Sequence, residues 1–369
     1  MHSILALFYF AYFALVGIYV MFMPTALIGF GYSKLEIGIV YSAAPFMRFL
    51  LPFIFKYYIE LTHKVYIVAL IFTFLSAVLF LGSVNDFSSH LLANLLFGGA
   101  MGIVLPFVET IALQQLSKTV YGKIRLWGSV GFILIALWFG EVAVSANGTI
   151  YYLIAMGFLT LIFGYFVLQF DENHKNIQED DDKSFSLKKY WAFWTSVFLM
   201  QVAFGGFYTF FTIYEVAQGV STQVISYLWT FGVICEIIML YFQGALLERN
   251  LLTILKAATL ITAFRWLLLY LYPSSLEITF LSQSLHAISF ALYHTAAITY
   301  VFSLYTQKRL AQQFFLGISF GLGGSVGAYL SGYVYDNKFY GEYLFLVESF
   351  ITFGAFLMLL VHTKRKNQL

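Results

Sequence analysis

Arg48, Glu109, Glu236, Arg265 and His294 stand deep inside long apolar stretches of this 369-residue chain. A charge near the centre of a bilayer costs roughly 2.5–3.5 kcal/mol on insertion scales, so such groups must pair or face a water-filled cavity. A carboxylate in low dielectric is costly to ionise, and an adjacent guanidinium offsets that cost. A buried Glu–Arg pair can therefore exchange a proton whenever substrate or conformation separates the partners. His294 adds an imidazole, the side chain whose ordinary titration lies near neutral pH. His286 precedes it by eight residues, so the two share a helix face. That spacing allows a relay, and a packed or hydrogen-bonded role for His286 is the alternative reading. Glu141, Glu215 and Glu348 fall toward the outer ends of their stretches, where a carboxylate reaches interfacial water, and are read as structural.

Other chemistries lack their residues. The chain has no His-Glu-x-x-His spacing for a metal and no Gly-x-x-x-x-Gly-Lys-Ser/Thr loop for nucleotide phosphates. Its single cysteine, Cys235, lies in an apolar run and reads as a small packed residue. No nucleophile–base constellation suggests an enzyme. A net charge of +2 gives no electrostatic footprint for nucleic acid. No cofactor is expected.

The elements that must hold these groups follow from composition. Hydrophobic residues make up 61% of the chain and charged residues 10%, at a mean hydropathy of +0.82, whereas a soluble domain carries about 25% charged residues. Lipid is therefore the solvent for most of the surface. A helix needs about 20 mainly apolar residues to span a bilayer. Twelve such stretches are read, at 4–24, 37–55, 65–84, 91–115, 126–145, 149–170, 190–214, 223–243, 251–272, 277–303, 312–335 and 342–362. The first is too long for a signal-peptide core and reads as a retained span. Residues 171–189, rich in Asp, Glu and Lys, read as a linker between two six-helix bundles, 1–170 and 190–369. Lys and Arg distribute sixteen to two between alternate sets of connections, which places both termini and the linker on the cytoplasmic side.

The two halves carry a weak internal repeat. An offset of 188 residues lays Ile37, Arg48 and Glu60 over Ile225, Glu236 and Glu248, and an offset of 185 lays Glu109 over His294. Ionisable groups thus fall at equivalent depths, as in a duplicated transporter whose site lies at the repeat interface. Gly98 and Gly102, Gly128 and Gly131, and the series Gly317, Gly321, Gly324 and Gly327 are spaced for close helix contact.

Three segments carry a resemblance to a known family. They are Pro106-Phe-Val-Glu109, Tyr121-Gly-Lys-Ile-Arg-Leu-Trp-Gly-Ser-Val-Gly-Phe132, and His286-Ala-Ile-Ser-Phe-Ala-Leu-Tyr-His294 with the glycine-rich stretch ending Ser331-Gly-Tyr-Val-Tyr-Asp336. They resemble the major facilitator superfamily, in the branch of phenylpropionate permease and lactose permease. The resemblance implies an all-α fold of twelve transmembrane helices in two pseudosymmetric bundles. It also implies a monomer in the inner (plasma) membrane that moves a small organic solute by alternating access, coupled to protons. Glu109 and Arg125 look like the substrate-binding pair of lactose permease. Phe132 stands where that protein has a tryptophan that stacks on sugar, so sugar specificity does not follow. Glu236, Arg265 and His294 are the implied proton-coupling residues. The loop after the second helix keeps only Lys56, Glu60, His63 and Lys64 of the superfamily pattern. The leading expectation is a proton symporter for an aromatic carboxylate, with Arg48, Arg125 or Arg265 meeting the anion. Sugar and nucleoside substrates, an efflux antiporter, and a non-transporting receptor are the alternatives.

Overall fold

Short polar connections carry the signals that begin each span. Thr62, Asp86, Ser145, Asn250 and Ser275 each accept a backbone N–H from three residues ahead and so cap the helix that follows. Ser33 and Glu36 form a reciprocal capping box, in which the Ser33 N–H donates to Glu36 and the Glu36 N–H to the Ser33 hydroxyl. The Ser89 amide and hydroxyl donate to the Asp86 carboxylate and hold it below the usual carboxylate range. Gly31 and Gly219, at φ 91° and 84°, turn the chain between spans 1 and 2 and between spans 7 and 8. They are 188 residues apart, the offset that relates Arg48 to Glu236.

The computed structural model describes residues 1–57, 62–142, 144–171, 186–338 and 341–366. Among them are twelve helices long and apolar enough to cross a membrane, and no strand. Spans 1 to 6 are His2–Gly29, Lys34–Ile54, His63–Ser83, Phe87–Gln115, Val120–Val142 and Ala146–Phe170. Spans 7 to 12 are Lys188–Ala217, Thr222–Phe242, Leu251–Leu271, Leu276–Leu304, Leu310–Asp336 and Gly341–Arg365. Most of the linker read at 171–189, and Glu60, lie outside the described residues. Span 5 begins earlier than its apolar run, because the helix continues through the polar turn at Lys123 to satisfy its backbone. Arg125 therefore sits inside the span and not in a connection.

Two compact units divide the chain, Met1–Ile177 with Phe211–Tyr227, and Gln178–Phe210 with Leu228–Leu369. In the first, spans 1 and 5, 3 and 4, and 2 and 4 pack together. Glycines set the closest approaches: a Cβ on Gly98 would meet the backbone of Ala44, and one on Gly131 the carbonyl of Phe10. Tyr66 stacks on Phe107 at 4.2 Å, and the Tyr19 hydroxyl donates to Asn94 at 2.8 Å. His63, from the degraded loop pattern, meets Asp171 at 2.6 Å. Glu141 accepts from Gln223 at 2.8 Å and from Tyr227 at 3.2 Å, within the same unit. In the second unit, span 12 packs on spans 7 and 9. The outward faces carry bare hydrophobics such as Leu92, Tyr241 and Phe350, as lipid-facing surfaces do.

Four spans depart from regular helix. Span 1 widens into a π turn at Ile18–Phe22, span 10 at Ala287–Leu292 and span 11 at Gly317–Gly323. Span 7 is broken at Ala203 and Phe204, between helices Trp191–Val202 and Gly205–Ala217. Such irregularities loosen backbone hydrogen bonding and gather at functional sites.

Packing at the glycines is testable. Gly131→Val, forced against backbone that cannot retreat, should cost about 1–3 kcal/mol or more. Gly82→Ala, which meets nothing within 4 Å, should stay within about 0.5 kcal/mol of the parent. Thermal unfolding of the purified protein in detergent checks both.

Candidate functional site

Two clusters of ionisable residues lie in the described structure, one in each unit. In the first, Glu109 stands three residues past Pro106 on span 4, and Arg125 near the start of span 5. The Arg125 Nε donates to the Glu109 carboxylate at 3.1 Å, with the side chains 30% and 31% exposed. The guanidinium lies 4.0 Å over the Phe13 ring and 5.3 Å from that of Tyr9, both on span 1. Gly128 makes this possible, since a Cβ there would stand 2.7 Å from the Phe13 ring and 2.8 Å from an Arg125 terminal nitrogen. Tyr9 and Tyr121 are within electrostatic range of the pair. The result is a half-open cationic fork with aromatic walls.

Of the other expected substrate residues, Arg48 lies beside Gly102 of span 4 and Phe132 beside Gly17 of span 1. The Arg48 side chain is exposed and forms no ion pair among the described residues, its stem passing beside Gly102. Its charge reaches the buried Tyr12 hydroxyl, as do those of Glu109 and Arg125. Phe132 is seven residues beyond Arg125 on the same face of span 5, against Gly17 of span 1.

The second cluster is sealed at its arginine. Arg265 has no exposed surface, and its guanidinium is satisfied almost entirely by span 10. It donates to Ser282 at 3.2 Å, Ser289 at 3.0 Å, Gln283 at 3.4 Å and His286 Nδ1 at 3.1 Å. Phe207 and Trp266 each place a ring 4.4 Å from its Cζ. Because Nδ1 of His286 accepts from Arg265, the ring's own proton belongs on Nε2. That nitrogen faces Glu236 at 3.8 Å. His286 thus links Arg265 to Glu236, and a second proton can enter the ring only by evicting the arginine from Nδ1.

His294 stands apart from this group. Phe290 lies between the two imidazoles, stacked on His286 at 5.2 Å and on His294 at 6.3 Å. The two histidines do share a face, but the intervening phenyl ring removes the relay that their spacing allowed. His294 instead lines a small pocket with Gln201, Phe315 and Ser319, and its buried Nδ1 has no hydrogen-bond partner among the described residues. The readable signal for His286 was the polar stripe Ser282, His286, Ser289 at intervals of four and three in an apolar span. Position along the span misplaced two carboxylates as well. Glu215 and Glu348 are 1% and 2% exposed, buried against protein and out of reach of water. Glu141 is exposed as expected. Among the described residues no group of three or more metal-ligating side chains occurs.

The family model described as the MFS_1 like family matches residues 2–347. The chain is 25% identical over 366 residues to the "Probable 3-phenylpropionic acid transporter" of Escherichia coli (strain K12), covering 95% of each. It is also 25% identical over 297 residues to the "Uncharacterized transporter YwbF" of Bacillus subtilis (strain 168), covering 77% of this chain and 74% of that one. The fold is similar to that of the nucleoside transporter NupG, at a TM-score of 0.77 and 18% identity over 98% of this chain and 99% of NupG. It is also similar to an inward-facing, occupied bacterial homologue of the human lysosomal transporter Spinster, at 0.72 and 13% over 98% of this chain and 96% of that one.

The sealed cluster yields a direct test. Ser289→Ala leaves a buried guanidinium nitrogen short of one acceptor and should lower stability by about 1–3 kcal/mol. Ser284→Ala, whose hydroxyl is exposed and bonds only to Leu281 of its own helix, should change it by less than about 0.5 kcal/mol. Unfolding curves in detergent separate the two.

Proposed function

Since the chain belongs to the MFS_1 like family of multi-pass membrane transporters for small organic solutes, we propose that it carries a small aromatic carboxylate together with protons. In this reading it works by alternating access as a monomer of the inner (plasma) membrane, with both termini in the cytoplasm. The observation that carries the reading is the Arg125–Glu109 pair, half open to solvent and walled by Phe13 and Tyr9. A guanidinium offers a carboxylate a two-pronged donor, and the rings beside it offer an aromatic ring its preferred packing.

Coupling follows from charge balance. A substrate carboxylate that takes the Arg125 fork leaves Glu109 without its counter-charge, and a proton on Glu109 restores neutrality. The same logic holds in the second unit, where Glu236 faces a histidine whose other nitrogen is already committed to Arg265. The likeness to a phenylpropionic acid transporter over nearly the whole chain supports the same substrate class. The Lys and Arg asymmetry supports the orientation. A transporter of this kind draws on the proton gradient and needs no cofactor.

The test uses proteoliposomes and 3-phenylpropionate as the probe. Adding the probe outside should alkalinise the external medium beyond the change in protein-free vesicles, and Arg125→Lys should raise KM about ten-fold, equivalent to about 1.4 kcal/mol. External acidification would replace symport by antiport. Probe uptake indifferent to Arg125→Lys would remove the fork from substrate binding.

A further inference from the structure

Glu348 is a buried carboxyl that the site described so far does not use. It lies in span 12 with 2% of its surface exposed. Its Oε1 accepts the backbone N–H of Gly206 and the hydroxyl of Ser331, the latter at 3.3 Å. Its Oε2 is buried and has no hydrogen-bond partner among the described residues. Gly206 is the second residue of the helix that restarts span 7 after the break at Ala203 and Phe204. In a continuous helix its N–H would bond to the Val202 carbonyl. Here the carboxylate takes it.

The surrounding backbone is shaped to admit this acid. A Cβ on Gly206 would collide with the Glu348 carboxyl, and one on Gly205 with the backbone of Gly327. The next residue, Phe207, is one of the two rings stacked on Arg265. One turn of span 7 therefore touches both Glu348 and the cation of the sealed cluster. From the elements packed against span 12, Glu348 meets the Gly206 amide of span 7 and Ser331 of span 11, and Arg265 of span 9 is within electrostatic range.

We propose that Glu348 is a second proton-carrying residue of the C-terminal unit, and that it latches the break in span 7 through Gly206. As a carboxylate it grips the Gly206 amide and the Ser331 hydroxyl with full negative charge. A proton arriving on the buried, unpaired Oε2 removes that charge and weakens both bonds, because hydrogen bonds to an ionised acceptor are about twice as strong as neutral ones. The restarted helix is then freed to move, and Phe207 with it. The latch stands independently of substrate, whereas the proton's part in transport rests on the symport reading above.

Two measurements test this. Hydrogen exchange of the amides in residues 205–210, corrected for intrinsic rates, should lose about ten-fold protection as pH falls in the parent protein. In Glu348→Gln it should be weakly protected and independent of pH, and Ser331→Ala should lie between. In proteoliposomes, Glu348→Gln should keep counterflow of 3-phenylpropionate within about two-fold and lose about ten-fold in proton-driven accumulation. Identical protection in parent and Glu348→Gln at every pH overturns the latch. Equal loss of counterflow and accumulation reduces Glu348 to a structural residue and overturns its role in coupling. If the parent shows pH-dependent protection but no proton-driven uptake, symport fails and the latch stands.

Discussion

A guanidinium with no access to water must find every partner inside the protein, and Arg265 dictates much of the C-terminal unit. Leaving such a charge uncompensated would cost several kcal/mol, comparable to the net stability of a domain. Span 10 answers with Ser282, Gln283, His286 and Ser289, and spans 7 and 9 with the rings of Phe207 and Trp266. The consequences spread from there. The bond to Nδ1 fixes the tautomer of His286 and so aims its N–H at Glu236. The stacking on Phe207 fixes the first turn of span 7 after its break. The π turn of span 10 begins one residue past His286, and Ser289 inside it still reaches the same guanidinium nitrogen.

Against that fixed charge, the Arg125–Glu109 pair is differently built. Both are Glu–Arg systems in apolar spans, yet the first unit leaves each partner nearly a third exposed and holds Arg125 by a carboxylate bond and two rings, with Tyr121 alongside. An exposed pair exchanges partners at small cost, since water and an incoming anion can both replace the carboxylate. A sealed cation with four polar partners does not. The chemistry expected of a transporter divides accordingly: the half-open pair suits a group that comes and goes, and the sealed one suits a pivot around which protons or helices move.

Much of this was legible in the sequence, and the boundary of legibility has a physical cause. Apolar stretches of the right length announce all twelve spans, because lipid tolerates little else. Glu109 and Arg125 were legible as a pair through their resemblance to a known transporter. His286 and His294 were harder to tell apart. Both are polar intrusions on one face of one span, and only the path of that span past Phe290 and toward Arg265 decides which imidazole joins the cluster. Glu215 and Glu348 were misread for a related reason. Distance from a span end predicts water only on a lone helix, and in a bundle a neighbouring span can cover the same position. The Gly205–Gly206 pair was the available clue that something approached span 7 closely.

The irregular turns share a logic that the internal repeat makes visible. Gly31 and Gly219 turn the chain at equivalent points of the two halves, 188 residues apart. Under that offset the π turn at Ile18–Phe22 in span 1 maps onto residues 206–210, just past the break at Ala203 and Phe204 in span 7. Pro106 in span 4 falls under the π turn of span 10 at the offset of 185 that relates Glu109 to His294. A duplicated bundle that kept regular helices would satisfy its backbone more fully and would be more rigid. Retaining a defect near corresponding points of the sequence in both halves makes sense where backbone groups there are to be held by side chains that can let go. In the C-terminal unit that side chain is a carboxylate, and a carboxylate can be neutralised by a single proton.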